Sequence, residues 1–167
     1  PLRLTQLVLP SMVEKRSGHI AIVSSVAGKA GVPLRTAYCA AKHACLGYYD
    51  ALRAEIEKAY GVGVSVITPG SVRTAVASNA LTGDGSARGR SDENIDNGMA
   101  PEKAAAIILD GIEAGKREIV VAEGMELAAL QMRLANPDGL FDFLAEEGAR
   151  LADARAAGEA PDPKRLN

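Results

Sequence analysis

No apolar stretch in this chain approaches the ~20 residues that a helix needs to cross a bilayer, and no signal-peptide pattern appears in it. An excess of one charge is also missing. Nineteen Lys and Arg face 21 Asp and Glu, a formal net charge of −2, so nothing points to a nucleic-acid or membrane-surface partner. Cysteine is scarce. Cys39 and Cys45 stand six apart on one predicted helix, outside disulfide or metal-ligand spacing. They read as core or near-core thiols in a reducing compartment, and a cytoplasmic location is the expectation. There is no internal repeat and no cluster of metal ligands.

What is present is an ordinary globular composition. At 167 residues the chain is long enough for one domain with a real core, and its mean hydropathy is near zero. Leu4, Leu7, Val8 and Met12 recur at helical intervals over residues 2–16. Pro10 predicts a kink there, and Ser17-Gly18 a stop, with Gly18 left-handed. His19 to Ser24 is a β-branched run suited to a parallel strand covered on both faces. Gly28, Gly31 and Pro33 mark a loop. Helix resumes near Thr36, a candidate N-cap, and runs to about Tyr60. Cys45, Tyr49, Leu52 and Ile56 form its buried stripe, and Arg53 and Glu57 are placed to pair at i, i+4. Val62 to Thr68 reads as a second buried strand, stopped by Pro69-Gly70. Residues 75–99 are polar and glycine-containing, with little to fill a core. Pro101 opens another helix whose apolar face is Ala105, Ile108, Leu109 and Ile112. Arg117 to Ala122 is a third strand. From Met125 a helix runs through Leu134, breaks at Asn136-Pro137-Asp138-Gly139 and resumes at Leu140. Asp153 onward reads as a frayed tail. The alternation of strand and helix is an α/β pattern.

Three residues carry chemistry. Ser25 closes the first strand-like run, and Tyr38 and Lys42 stand four apart at the start of the long helix, hence on one face. A free phenol titrates near pH 10 and is a poor proton shuttle at neutral pH. A fixed cation beside it favours the phenolate. Two unit charges at ~4 Å in an effective dielectric near 20 interact by roughly 4 kcal/mol, which is enough to matter. Each residue has a plainer reading. Ser25 can simply satisfy a strand end, Tyr38 can pack a helix start, and Lys42 can be a solvated charge. His43 adjoins Lys42 but points about 100° away by helical geometry. Arg35 is a surface charge near the expected pocket rim.

The thirteen-position step from Ser25 to Tyr38, followed by Lys42, resembles the Ser…Tyr-x-x-x-Lys spacing of the short-chain dehydrogenase/reductase family. The run Val64-Ser65-Val66-Ile67-Thr68-Pro69-Gly70-Ser71-Val72-Arg73-Thr74 is similar to that family's next strand and its Pro-Gly-x-x-x-Thr loop. Motif order and intervals agree over roughly residues 1–125. The resemblance implies the C-terminal part of a Rossmann-like, doubly wound parallel sheet over 1–125, with a C-terminal helical extension and tail over 126–167. It implies NAD or NADP as cofactor and interconversion of a small-molecule carbonyl and a secondary alcohol. Ser25, Tyr38 and Lys42 would be catalytic. Tyr38, Lys42, Pro69, Gly70, Val72 and Thr74 would hold the nicotinamide end. Ser25, Ala27, Pro33 and Tyr38 would meet the substrate. Residues 75–99 would form a substrate lid.

The family's opening strand, glycine-rich turn and helix, which hold the pyrophosphate, are not found. Gly61-Val62-Gly63 precedes a strand instead of following one. The Asn-Asn-Ala-Gly stretch and the tetrad asparagine are also missing, so a truncated piece of a longer enzyme is expected. A genuine short product whose initiator Met was trimmed before Pro1 is the other reading. A non-catalytic remnant that folds or self-associates is the rival to an active enzyme. A dinucleotide sensor without turnover is the third reading. The family's paired helices lead to an expected homodimer or homotetramer.

Overall fold

The computed structural model describes residues 1–158. Its centre is a parallel sheet of three strands in the order β1 (Gly18–Val23), β2 (Val62–Pro69), β3 (Glu118–Val121). Ile20 pairs with Val64 and Val66 with Glu118, which fixes the register. Helices α1 (Leu2–Lys15) and α2 (Thr36–Tyr60) supply one core layer, and α4 (Pro101–Glu113) supplies the other. A short helix α3 (Glu93–Asp96) lies in the polar stretch, and α5 (Gly124–Ala135) and α6 (Pro137–Ala156) follow β3. This is the expected α/β fold with a parallel sheet.

Side chains alternate across a strand, so β2 feeds two cores. Val62, Val64 and Val66 pack with Ile20, Tyr49, Leu52 and Ile56. Ile67, on the opposite face, packs with Met99, Ala104, Ile119 and Val121. The central strand is therefore buried on both faces, with Ser65 and Thr68 buried among its valines and Ile67. The β1 strand departs from that reading. Ile20 is buried, but His19, Ala21 and Val23 are exposed, because α4 lies over β2 and β3 and no described element covers that face of β1. The ring of His19 is held by Ser65, Nε2 to Oγ 2.8 Å.

The other departures lie at helix ends and in which helix face is buried. The first helix runs unbroken through Pro10 and stops on Arg16, which takes the left-handed turn in place of Gly18. Its inward residues are Thr5, Leu9 and Met12, whereas Leu4 and Leu7 are 67% and 70% exposed. Thr5 and the buried Tyr49 share a hydroxyl hydrogen bond of 2.7 Å, which ties α1 to α2. The N-cap of α2 is Arg35 and not Thr36, with no side-chain cap, and Gly61 ends the helix at φ +70°. Cys39 is buried and Cys45 half-buried. Arg53 does not pair with Glu57. It binds Asp50 and donates to the carbonyls of Val64 and Arg117, while Glu57 takes Arg117. The buried side of α4 is Ala104, Ile107, Ile108, Gly111 and Ile112, so Ala105 and Leu109 face outward. The proposed break at 136–139 shrinks to one residue. Asn136 caps α6 by accepting from the Gly139 amide, and Pro137 sits in its first turn. Of the tail, Asp153–Ala156 is helical, and residues 159–167 lie outside the described residues.

Candidate functional site

The end of β1 is pinned to two neighbours. The Ser24 amide donates to the Ile67 carbonyl at 2.8 Å, extending the ladder to β2. The Ser24 hydroxyl is buried and donates to the Lys42 carbonyl at 3.0 Å, which holds α2 against the strand end. Ser25 follows in extended conformation and caps a 3-10 turn over Val26–Gly28, its Oγ accepting from the Ala27 amide at 3.1 Å. An accepting hydroxyl keeps its own proton to donate. Gly28 closes the turn against the helix. A Cβ there would lie 2.7 Å from Ser24 Oγ and 3.0 Å from the Lys42 carbonyl oxygen.

That packing brings the first turns of α2 to the C-terminal end of β1. Lys42 Nζ donates to the Val23 carbonyl at 3.1 Å and lies 5.6 Å from the centroid of the Tyr38 ring. The strand end thus fixes the ammonium beside the phenol. Tyr38 is 43% exposed, and its hydroxyl has no protein partner among the described residues. Ser25, Tyr38 and Lys42 are therefore linked through Val23, Ser24 and the 3-10 turn. They gather at the carboxyl end of parallel strands, where open α/β sheets bind ligands.

The loop after β2 lies next to them, since β2 is the neighbour of β1. Gly70 donates to the Val121 carbonyl at 3.0 Å. Val72 bridges to Met99, with Met99 N to Ser71 O and Arg73 N to Met99 O both 2.9 Å. Thr74 is exposed, and its Oγ1 accepts weakly from the Val76 amide at 3.4 Å. The Lys42 ammonium has N–H groups beyond the one on Val23, and the Thr74 hydroxyl is free to donate. That donor set fits the ribose and carboxamide of a nicotinamide riboside. Among the described residues no strand, glycine-rich turn and helix stand ready for a pyrophosphate.

Other predicted residues sit elsewhere. Ala27 is buried within the 3-10 turn, its amide committed to Ser25. Pro33 lines a groove of about 350 Å³ with Leu34, Leu151, Ala152 and Arg155, which Ser25, Tyr38 and Lys42 do not line. His43 Nδ1 donates to the Cys39 carbonyl at 2.8 Å, and Arg35 pairs with Asp92. The polar segment 75–99 is more built than its composition suggested. Ala77 and Met99 are buried, Leu81 bridges Ala87, and Arg88 and Arg35 both bind Asp92. The first of these pairings holds Arg88 all the more firmly charged, chiefly through its hydrogen bond to Asp92. Asp84 is held at about 2 from an ordinary 3.8, first by the Thr82 hydroxyl and then by the Ser86 amide and hydroxyl. Among the described residues no group of three or more His, Cys, Asp or Glu is placed to hold a metal, and no helix is long and apolar enough to cross a membrane.

Gly28 was missed by sequence reasoning. It read only as a loop marker, because it matters through its close approach to Lys42 on another element.

A family model described as short chain dehydrogenase matches residues 1–84. The chain belongs to the short-chain dehydrogenase/reductase family. Among curated relatives it is 43% identical over 150 residues to dehydrogenase/reductase SDR family member 7B of Danio rerio, covering 90% of this chain and 48% of the relative. It is 37% identical over 155 residues to the protein of that name in Xenopus laevis, covering 93% and 48%. The chain thus spans about half the length of these family members. A short-chain dehydrogenase/reductase from Burkholderia phymatum, solved with NAD, superposes with a TM-score of 0.65 at 20% identity, over 80% of this chain and 53% of that one. A short-chain dehydrogenase from Sphingobium yanoikuyae, solved with NADPH, gives 0.58 at 21% identity, over 87% and 51%. At such identities the superpositions establish the Rossmann-type fold.

Proposed function

We propose that this chain carries the catalytic part of an NAD- or NADP-dependent oxidoreductase that interconverts a carbonyl and a secondary alcohol. The observation behind it is the placement of Lys42 Nζ, 3.1 Å from the Val23 carbonyl and 5.6 Å from the Tyr38 ring, with Val23 two residues ahead of Ser25. When bound, the nicotinamide supplies or accepts the hydride. In reduction Tyr38 gives its phenolic proton to the substrate oxygen, and in oxidation the phenolate takes the alcohol proton. Lys42 holds its positive charge 5.6 Å from the Tyr38 ring and offers its remaining N–H groups to the nicotinamide ribose. Ser25 donates to the same substrate oxygen, opposing the negative charge that develops there. Gly70, Val72 and Thr74 supply the wall and donors against the nicotinamide. The segment 75–99, tied through Asp92 to Arg35 just ahead of α2, is placed to cover the site and limit water access.

The test is Tyr38→Phe in the polypeptide as it is encoded. Loss of a positioned proton donor should lower kcat by at least roughly 10²-fold, with dinucleotide affinity unchanged. Turnover retained in the variant sinks the assignment. Dinucleotide binding by the unsubstituted protein without reduction across a broad carbonyl panel favours a sensor.

A further inference from the structure

A carboxylate from α5 reaches back to the loop that follows β2. Both oxygens of Glu126 accept from the Ser71 amide, at 2.9 and 2.8 Å, and one also accepts from the Ser71 hydroxyl at 2.7 Å. Glu126 and Ser71 are 55 residues apart in the chain. The carboxylate lies in the space that Gly70 leaves open. A Cβ on that glycine would sit 1.9 Å from Glu126 Oε2. Glu126 also stands in the first turn of α5, where a negative charge is favoured by the helix dipole. Hydrogen bonds to a charged acceptor are stronger than neutral ones, and three converge on this carboxylate.

We propose that Glu126 is a positioning residue for the loop facing the nicotinamide. It holds Ser71, and through Ser71 the adjoining Val72, against β3 and α5. Val121 and Met99 fix the same loop from the sheet and from the end of the 75–99 segment. Glu126 is the charged member of that set and the one reached from α5. The absence of a side chain at residue 70 then serves the brace on one side of the loop, whatever it also does on the cofactor side. This inference rests on the functional reading above only where it concerns the nicotinamide.

Two measurements separate the brace from that reading. In the 167-residue chain, amide hydrogen exchange at Ser71 reports the bonds to Glu126 directly. Glu126→Gln keeps the side-chain size, and Ser71→Ala removes the hydroxyl alone. Loss of these charge-assisted bonds should make the Ser71 amide exchange at least roughly tenfold faster in Glu126→Gln, with a smaller rise in Ser71→Ala. In the polypeptide as encoded, Glu126→Gln should weaken the oxidised dinucleotide by roughly tenfold while ADP-ribose, which lacks the nicotinamide, binds as before. Unchanged Ser71 exchange overturns the brace. Faster exchange with dinucleotide and ADP-ribose weakened equally, or neither weakened, overturns its role toward the nicotinamide. If the unsubstituted protein binds neither ligand, the oxidoreductase reading fails, and Ser71 exchange alone decides the brace.

Discussion

Gly28→Ala is the sharpest test of how the site is assembled. The added methyl would arrive 2.7 Å from Ser24 Oγ and 3.0 and 3.1 Å from the carbonyl oxygen and carbon of Lys42. Two of those three atoms are helix backbone, so the relief must come from moving α2 off the end of β1. Overpacking of this kind costs about 1–3 kcal/mol. At about 2–4 °C per kcal/mol for a chain of this size, Tm should fall by about 2–12 °C. Gly47 on the same helix is the control. A Cβ there meets nothing within 4 Å, so Gly47→Ala only removes a flexible residue from a helix interior. That stabilises by about 0.5–1 kcal/mol and should raise Tm by about 1–4 °C. Two Gly→Ala changes in neighbouring elements therefore have opposite signs. Ser24→Ala adds a second arm. It removes the Oγ obstacle and the bond to Lys42, so Gly28→Ala should cost less in that background, with a coupling of about 0.5–3 kcal/mol. Thermal and urea melts of the unsubstituted chain, the three single variants and the double variant read this out. Catalysis gives a parallel readout, because a misplacement of about 1 Å at a reacting group is worth about 10²-fold. A shift of a few tenths of an ångström at Lys42 and Tyr38 should lower kcat several-fold, with Gly47→Ala unaffected. If Gly28→Ala melts at or above the unsubstituted chain, the claim that close approach of the 3-10 turn and α2 builds the site is wrong.

Two other outcomes are expected. Asp84 in the folded loop titrates at about 2 against an ordinary 3.8. Its contribution to holding the loop is therefore fully present above 3.8 and is lost as pH falls through about 2. The Ser86 amide resonance should stay constant from neutral pH to about 4 and then move with a midpoint near 2, a step that Asp84→Asn removes. A midpoint at the ordinary value refutes the Thr82 and Ser86 contacts. The apolar stripe on α1, with Leu4 67% and Leu7 70% exposed, is proposed as a self-association surface of the paired-helix kind. Sedimentation of the Leu4→Glu, Leu7→Glu double variant should show a smaller species. An unsubstituted chain that already sediments as a cooperatively melting monomer counts against both this face and the unpaired edge of β1.

Much of this protein is legible along the chain. Val62 to Thr68 could be read as a buried strand, because a segment this rich in Val and Ile has little to offer water on either face. Tyr38 and Lys42 could be paired because a helix puts i and i+4 on one face, and Ser25 joined them because the spacing resembles the family's Ser…Tyr-x-x-x-Lys pattern. Those are local or periodic facts, and the chain states them directly. Partnership across long separations is different. That Arg53 would choose Asp50 and two carbonyls over Glu57, that Ala104 and not Leu109 would face Ile119, and that Leu4 and Leu7 would point outward all depended on which elements lay alongside.

Along the chain alone one could read the strands and long helices, the family resemblance, and the trio proposed for catalysis, since each follows from spacing within one element or one short connection. Only the tertiary structure decided what holds them in place: Lys42 seated on the Val23 carbonyl, Ser24 tied to Lys42, Gly28 pressed against α2, and Glu126 reaching 55 residues back to Ser71. Those contacts join groups whose meeting depends on the packing of separate elements, and no local pattern along the chain encodes that packing.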